Sequence, residues 1–315
     1  SSQSVVARVI ALHPFKTFDE LYKNFDKISL GYKEDEDRGI REFALLKRAI
    51  EYIADDVPDT LNIDRNEDGL VDNVIFFKDY VNGKSQLYDD NGHGTHIAGI
   101  VCGRKSENGM SGMAEQAELI VLKVLDKKGA GRTCDVLNAL SWVLQNKEKY
   151  NIRLLNFSIG YTINSQKSEQ AKMLRSIEEL WDAGIGVVVA AGNNGPKRNS
   201  VTVPGISEKV ITVGAMGDNN FSGIGPTDNC VVKPEILAPG THIIGLKNAP
   251  SGYSIRNGTS MATPIVCGAL ALAIEKNKNI SVLDMKMSLY KSVRKIPDFN
   301  QCWGILDVDR LVQCL

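Results

Sequence analysis

The sequence predicts an α/β fold, a mostly parallel sheet covered by helices on both faces, preceded by an N-terminal α+β extension. Three observations point there. Short runs of continuous apolar, β-branched residues recur at 74–77, 118–125, 153–159, 185–191 and 210–215. Such runs suit strands buried on both faces, whereas a half-solvated sheet alternates. Stretches with helical spacing of apolar residues, 133–147 and 169–183, alternate with those runs, the order that builds parallel sheets. An apolar helix, 260–275, opens directly from the turn Asn257-Gly258-Thr259.

Taken in order, residues 1–36 begin with a strand-like run, SVVARVIAL, and continue with Phe18, Leu21, Tyr22 and Phe25 on one helical face. Residues 37–56 read as a helix with Phe43, Leu46, Ile50 and Ile53 on one side, ended by Pro58. Turn-forming and acidic residues cluster at 57–77, the one organisational break in the chain. It divides an extension, 1–73, from a main domain, 74–315. In that domain Ile236-Leu237-Ala238-Pro239-Gly240 closes the sheet ahead of the glycine turn.

Composition narrows the function classes. The 315 residues are 43% hydrophobic and 24% charged, with net charge −1. That balance gives no electrostatic argument for nucleic acid or an anionic membrane as partner, and no apolar run approaches the ~20 residues of a membrane span. The N-terminal apolar patch, Val5–Leu12, is interrupted by Arg8 and does not read as a signal peptide. Six cysteines show no CxxC pair and no metal-ligand spacing with histidine. Scattered thiols and no export signal favour a reducing, cytoplasmic compartment.

Three stretches carry chemistry. In Asn257-Gly258-Thr259-Ser260-Met261-Ala262-Thr263-Pro264 a serine opens a helix. The free N–H groups of the first turn and the helix dipole there favour a developing negative charge. The bland reading is an N-cap serine. In Asn91-Gly92-His93-Gly94-Thr95-His96 a histidine flanked by glycines starts a second helix. In Ala190-Ala191-Gly192-Asn193-Asn194-Gly195 a side-chain amide ends an apolar strand. Serine, histidine and amide donor are three of the four parts of an acyl-transfer site. His96, lacking an acidic partner in register, reads as structural.

The order and flanking residues of NGHGTHIAG, AAGNNG and NGTSMATP resemble the subtilisin-like serine proteases, over about 74–315. That resemblance implies a three-layer sandwich and a serine endopeptidase acting through an acyl-enzyme on polypeptides. It implies Ser260 as nucleophile, His93 as base and Asn193 as oxyanion donor. It also implies a substrate edge made of Ser158, Ile159, Gly160, Ala191 and Gly192. The family's aspartate stands in Asp-Thr-Gly or Asp-Ser-Gly after a strand. Here the nearest match is Asp59-Thr60-Leu61, 34 residues before His93, with Leu61 in place of the glycine; Asp55 and Asp64 are other candidates. A subtilase-like binding or scaffold protein without a working triad is the alternative expectation.

Residues 1–36 also resemble a piece of an ASCH domain, and 37–77 a piece of the immune-inhibitor-A-like metallopeptidases, though no HExxH follows. Asp64, Asn66, Asp68 and Asp72 have the alternating spacing of a calcium loop, with Ile75 where an EF-hand has its bidentate Glu. Ca2+ is thus a candidate ligand; the chemistry itself calls for no cofactor. The bland reading is an Asp/Asn/Gly turn.

Overall fold

The computed structural model describes residues 73–103, 111–160, 167–217, 221–248, 252–296 and 301–315. Asp59 and the candidate calcium loop Asp64, Asn66, Asp68 and Asp72 lie outside the described residues, as does nearly all of the 1–73 extension.

The elements run β1 (Val74–Asp79), α1 (His93–Cys102), β2 (Leu119–Lys123), α2 (Thr133–Asn146), β3 (Leu154–Phe157), α3 (Lys167–Asp182), β4 (Gly186–Ala190) and β5 (Ile211–Met216). They continue as β6 (Ile236–Pro239), β7 (Ile243–Leu246), β8 (Tyr253–Arg256), α4 (Thr259–Lys276), α5 (Val282–Ser292), β9 (Gly304–Ile305) and α6 (Val308–Gln313). Among the described residues the strands form a parallel sheet β3-β4-β5-β6-β9, a parallel pair β1-β2 and an antiparallel pair β7-β8.

The sequence-derived α/β class holds. The all-apolar β4, Gly186–Ala190, is buried at every position; α4 packs on β3, β4, β5 and β6, and α3 packs on β4. Helix α4 can occupy that place because it is apolar all round; twelve of its residues are buried. Burial differs from expectation at β2 and β3, whose residues other than Phe157 are only half-buried. Among the described residues β2 pairs with β1 alone and β3 with β4 alone, so each presents one edge without a ladder. The β7-β8 hairpin, β9, α5 and α6 add to the strands and helices expected from the sequence. No described helix is long and apolar enough to cross a membrane.

Candidate active site

The site gathers at the carboxyl ends of β3 and β4 and at the first residues of α1 and α4, two helices that pack against one another. Gly258 makes the serine turn possible. Its φ of 153° lies where side chains are rarely tolerated, and its N–H donates to the Gly240 carbonyl at 2.8 Å.

Ser260 and Ser158 hold each other. Ser260 Oγ donates to the Ser158 carbonyl at 3.1 Å, and Ser158 Oγ donates to the Ser260 carbonyl at 3.1 Å. This reciprocal pair ties the serine turn to the segment leaving β3. Asn156 reaches the same place, donating its Nδ2 to Ser158 Oγ at 2.9 Å.

Asn193 is held from the other side. Its Oδ1 accepts from the Thr259 N–H at 3.0 Å and from Thr259 Oγ1 at 3.0 Å. Thr259 Oγ1 in turn accepts from the Gly192 N–H at 3.1 Å. With the carbonyl end of the amide occupied twice, the NH2 end is left toward Gly258 of the serine turn, and the residue is exposed. A methyl placed on Gly258 would sit 3.4 Å from Asn193 Nδ2.

His93 is positioned by its own loop. The Asp89 carboxylate accepts from the N–H groups of Asn91, Gly92 and Thr95 and from Thr95 Oγ1, at 2.8–2.9 Å. Gly92, at φ 85°, turns the chain into α1. Burial pushes the imidazole below its ordinary pKa. The Arg256 guanidinium pushes the same way, and the Asp89 charge opposes both. Among the described residues no carboxylate hydrogen-bonds to the His93 ring. Asp79, at the end of β1, is spent on its own loop, accepting from Tyr88 Oη and the N–H groups of Val81, Asn82 and Lys84. Although burial acts to raise its pKa, these bonds hold the carboxyl down at about 2.

His96 is structural, as its sequence context indicates. It is fully buried, and its Nε2 lies 3.1 Å from the Ile243 carbonyl and 3.0 Å from that of Ser254.

The expected substrate edge is assembled on two sides of one residue. Ser158 is buried, Ile159 half-buried and Gly160 exposed, whereas Ala191 and Gly192 are buried. Thr202 stands behind both segments: a Cβ on Gly160 would come within 2.9 Å of its Oγ1, and one on Gly192 within 2.5 Å. Thr259 thus joins Asn193 to the serine turn, and α1, which His93 opens, packs against α4, which carries Ser260.

Sequence reading missed Asp89, Thr202, Arg256 and Thr259. Asp89 had a local signal, a carboxylate followed six residues later by Thr95 at a helix start. The other three act across the fold. Among the described residues no group of three or more His, Cys, Asp or Glu side chains is arranged to hold a metal ion.

The arrangement matches known proteins. The model of the subtilase family matches residues 44–304. Serine protease AprX of Bacillus subtilis (strain 168) is 39% identical over 255 residues, covering 71% of this chain and 58% of AprX. Subtilisin DY of Bacillus licheniformis is 32% identical over 248 residues, covering 76% of this chain and 84% of that protein. The chain therefore spans less than two thirds of AprX but most of subtilisin DY. Among solved structures, sphericase superposes with a TM-score of 0.64 at 25% identity, covering 75% of this chain and 81% of its own. A cold-adapted subtilisin-like serine proteinase gives 0.62 at 26%, covering 79% and 86%. With the family model matched over residues 44–304 and a subtilisin 32% identical over 76% of its length, this chain belongs to the subtilase family.

Proposed function

We propose that the chain is a serine endopeptidase of the subtilisin type, cleaving polypeptides through an acyl-enzyme. The observation that carries this reading is the Thr259–Asn193 pair, which leaves the amide NH2 facing the serine turn. In the resting arrangement the Ser260 proton points at the Ser158 carbonyl. On substrate binding Ser260 Oγ turns to His93 and attacks the peptide carbonyl carbon. The proton passes to the imidazole, kept neutral by burial, and from there to the leaving amine. Asn193 Nδ2 and the Ser260 N–H receive the oxyanion, each such donor being worth on the order of 3 kcal/mol in the barrier. Water then attacks the acyl-enzyme by the same path in reverse. Ser158–Gly160 supplies a strand edge on which the extended substrate backbone is laid, with Ala191 and Gly192 facing it.

We assign Asp59 to hold the His93 ring. Its support is the 34-residue spacing in the sequence. Asp59→Asn is expected to lower kcat by about four orders of magnitude and to leave KM near its original value. Unchanged turnover removes Asp59 from the site. Calcium at Asp64, Asn66, Asp68 and Asp72 remains part of the proposal as a stabilising ligand, read out by a Ca2+-dependent Tm. No disulfide links the six cysteines, of which Cys102 and Cys267 are buried, and this supports a reducing compartment.

A serine-directed phosphonate followed by peptide mass spectrometry tests the whole reading. Stoichiometric modification of Ser260, lost in Ser260→Ala, is the expected result. A folded protein that is not modified overturns it.

A further inference from the structure

The guanidinium of Arg256 has no use in the scheme above, yet it sits beside the histidine. It ends β8, four residues ahead of Ser260, and is half-buried. Its Nη2 would lie 3.0 Å from a Cβ on Gly92, the residue preceding His93. Its charge is felt at both His93 and His96. Among the described residues no carboxylate or carbonyl is bonded to it. The carboxylate nearest in the chain of contacts, Asp89, is filled by its own loop, and the neighbouring Asn248 donates to the Asp89 carbonyl instead. A cation in this position opposes the imidazolium that must form at His93, and among the described residues only the Asp89 charge works against it.

We propose that Arg256 recognises a negatively charged side chain, Asp or Glu, on the first residue after the cleaved bond. This rests on the protease reading and adds to it the substrate class on the leaving-group side. His93 delivers its proton to the leaving amine, so that amine and its residue lie on the His93 side of Ser260. Arg256 borders Gly92 and His93 there. The acyl half of the substrate lies on the other side, along Ser158–Gly160 and Ala191–Gly192, which Thr202 backs. A substrate carboxylate would supply the partner that none of the described residues provides. A planar, five-donor guanidinium is suited to take it in bidentate fashion. The same carboxylate would offset the field that Arg256 exerts on the imidazolium.

The test uses the full chain and three peptides identical except for Glu, Gln or Lys directly after the cleaved bond. Expected is a kcat/KM about fivefold higher for Glu than for Gln, and lower again for Lys, a preference at the upper end for one half-exposed charge pair. It should shrink as salt is raised from low ionic strength. Arg256→Glu should invert the order, placing Lys first. A merely structural arginine would change all three peptides by one common factor, and that outcome overturns the proposal. Equal cleavage of the three by the unmodified chain, with Ser260 still modified by the phosphonate, overturns the proposal and spares the protease reading. No cleavage and no modification overturns both.

Discussion

At the scale of single residues, Asn193 and Thr259 show how one pair of hydrogen bonds selects between two orientations of an amide. Thr259 offers two donors, its N–H and its hydroxyl, to one oxygen. Flipping the amide would set two donors against NH2 and lose both bonds, a cost of about 1–3 kcal/mol. Thr259→Val keeps the shape and one donor. It is expected to lower kcat by about tenfold with KM little changed, because the bond it loosens matters only once an oxyanion exists. A rise in KM at constant kcat would assign Thr259 to substrate binding instead. His93 offers a second prediction at this scale. The imidazole must be neutral to accept the serine proton, and burial followed by Arg256 lowers its pKa. The acid limb of kcat/KM is therefore expected below pH about 6.5, the ordinary histidine value. Arg256→Gln removes one of the two depressing influences and should move that limb upward, read from a pH–rate profile on an uncharged peptide. The motifs around Ser260, His93 and Asn193 were legible in the sequence because each turn, helix start or strand end is written in adjacent residues. Thr259 lies inside the serine motif, yet its function depends on a residue 66 positions away. Arg256 likewise gains meaning only when β8 is folded against the loop before α1.

At the scale of elements, α1 is fastened to the β7-β8 hairpin by His96. Both carbonyls, of Ile243 and Ser254, face Nε2, so that nitrogen carries the proton and Nδ1 is bare. Nδ1 is buried without a partner. Burial holds the pKa at about 4, against about 6.5 in the unfolded chain. For a histidine whose folded pKa is depressed, the unfolded state binds the extra proton first. The contribution of the neutral ring is then complete above pH about 6.5 and is lost as pH falls toward the folded value. Up to about 3 kcal/mol is at stake over that window. Denaturant unfolding of the chain at pH 7 and pH 4.5 should show the loss. His96→Gln should be less stable at pH 7 but should lose less between the two. An equal pH dependence in both proteins would show that other groups titrate in that window. The hairpin itself was not legible. Its strands are four residues each, and β8, Tyr253–Arg256, alternates too briefly to mark a face. What defines it is long-range: β7 packs on α1, with Leu246 filling the space that Gly99 leaves open. The central strands and α2, α3 and α4 were legible because an apolar run of five or a helical stripe of fourteen or more needs no partner to be recognised. Their burial was less so, since whether β2 and β3 are covered depends on neighbours in the sheet.

At the scale of the whole molecule, the sheet has a chemically distinct opposite end. The site occupies the carboxyl ends of the strands, and a buried charge cluster occupies their starts. Lys233 is fully buried and Glu235 nearly so. Lys233 Nζ donates to Glu235 Oε1 at 2.6 Å and to Thr212 Oγ1 at 3.0 Å, while Glu235 Oε2 accepts from the Thr212 N–H at 2.9 Å. Lys286 of α5 reaches the same carboxylate at 3.0 Å and donates to the carbonyls of Glu208, Lys209 and Val210. Its ammonium also faces the rings of Trp181 and Trp303. One carboxylate thus fastens β5, β6 and α5 at a single point, with α3 and the segment entering β9 beside it. Composition gave no hint of this, because lysine and glutamate are ordinarily surface residues. Burial drives the Lys233 amine below the usual lysine range; Glu235 works against it, and the neighbouring Lys286 charge adds to the lowering. Glu235→Gln would leave two ammonium groups facing each other without a counter-charge, at a cost of about 3–5 kcal/mol. Lys233→Met keeps Glu235 paired with Lys286 and replaces a buried cation by an apolar chain of similar length. It should cost much less, because removing the charge also removes its desolvation penalty. Equilibrium unfolding of the two variants checks this ordering, and the phosphonate modification of Ser260 checks that the distant site is intact in the folded fraction. Equal stability of Glu235→Gln and the unmodified chain would mean that the cluster is solvated, and that the lower end of the sheet is held by its apolar packing alone.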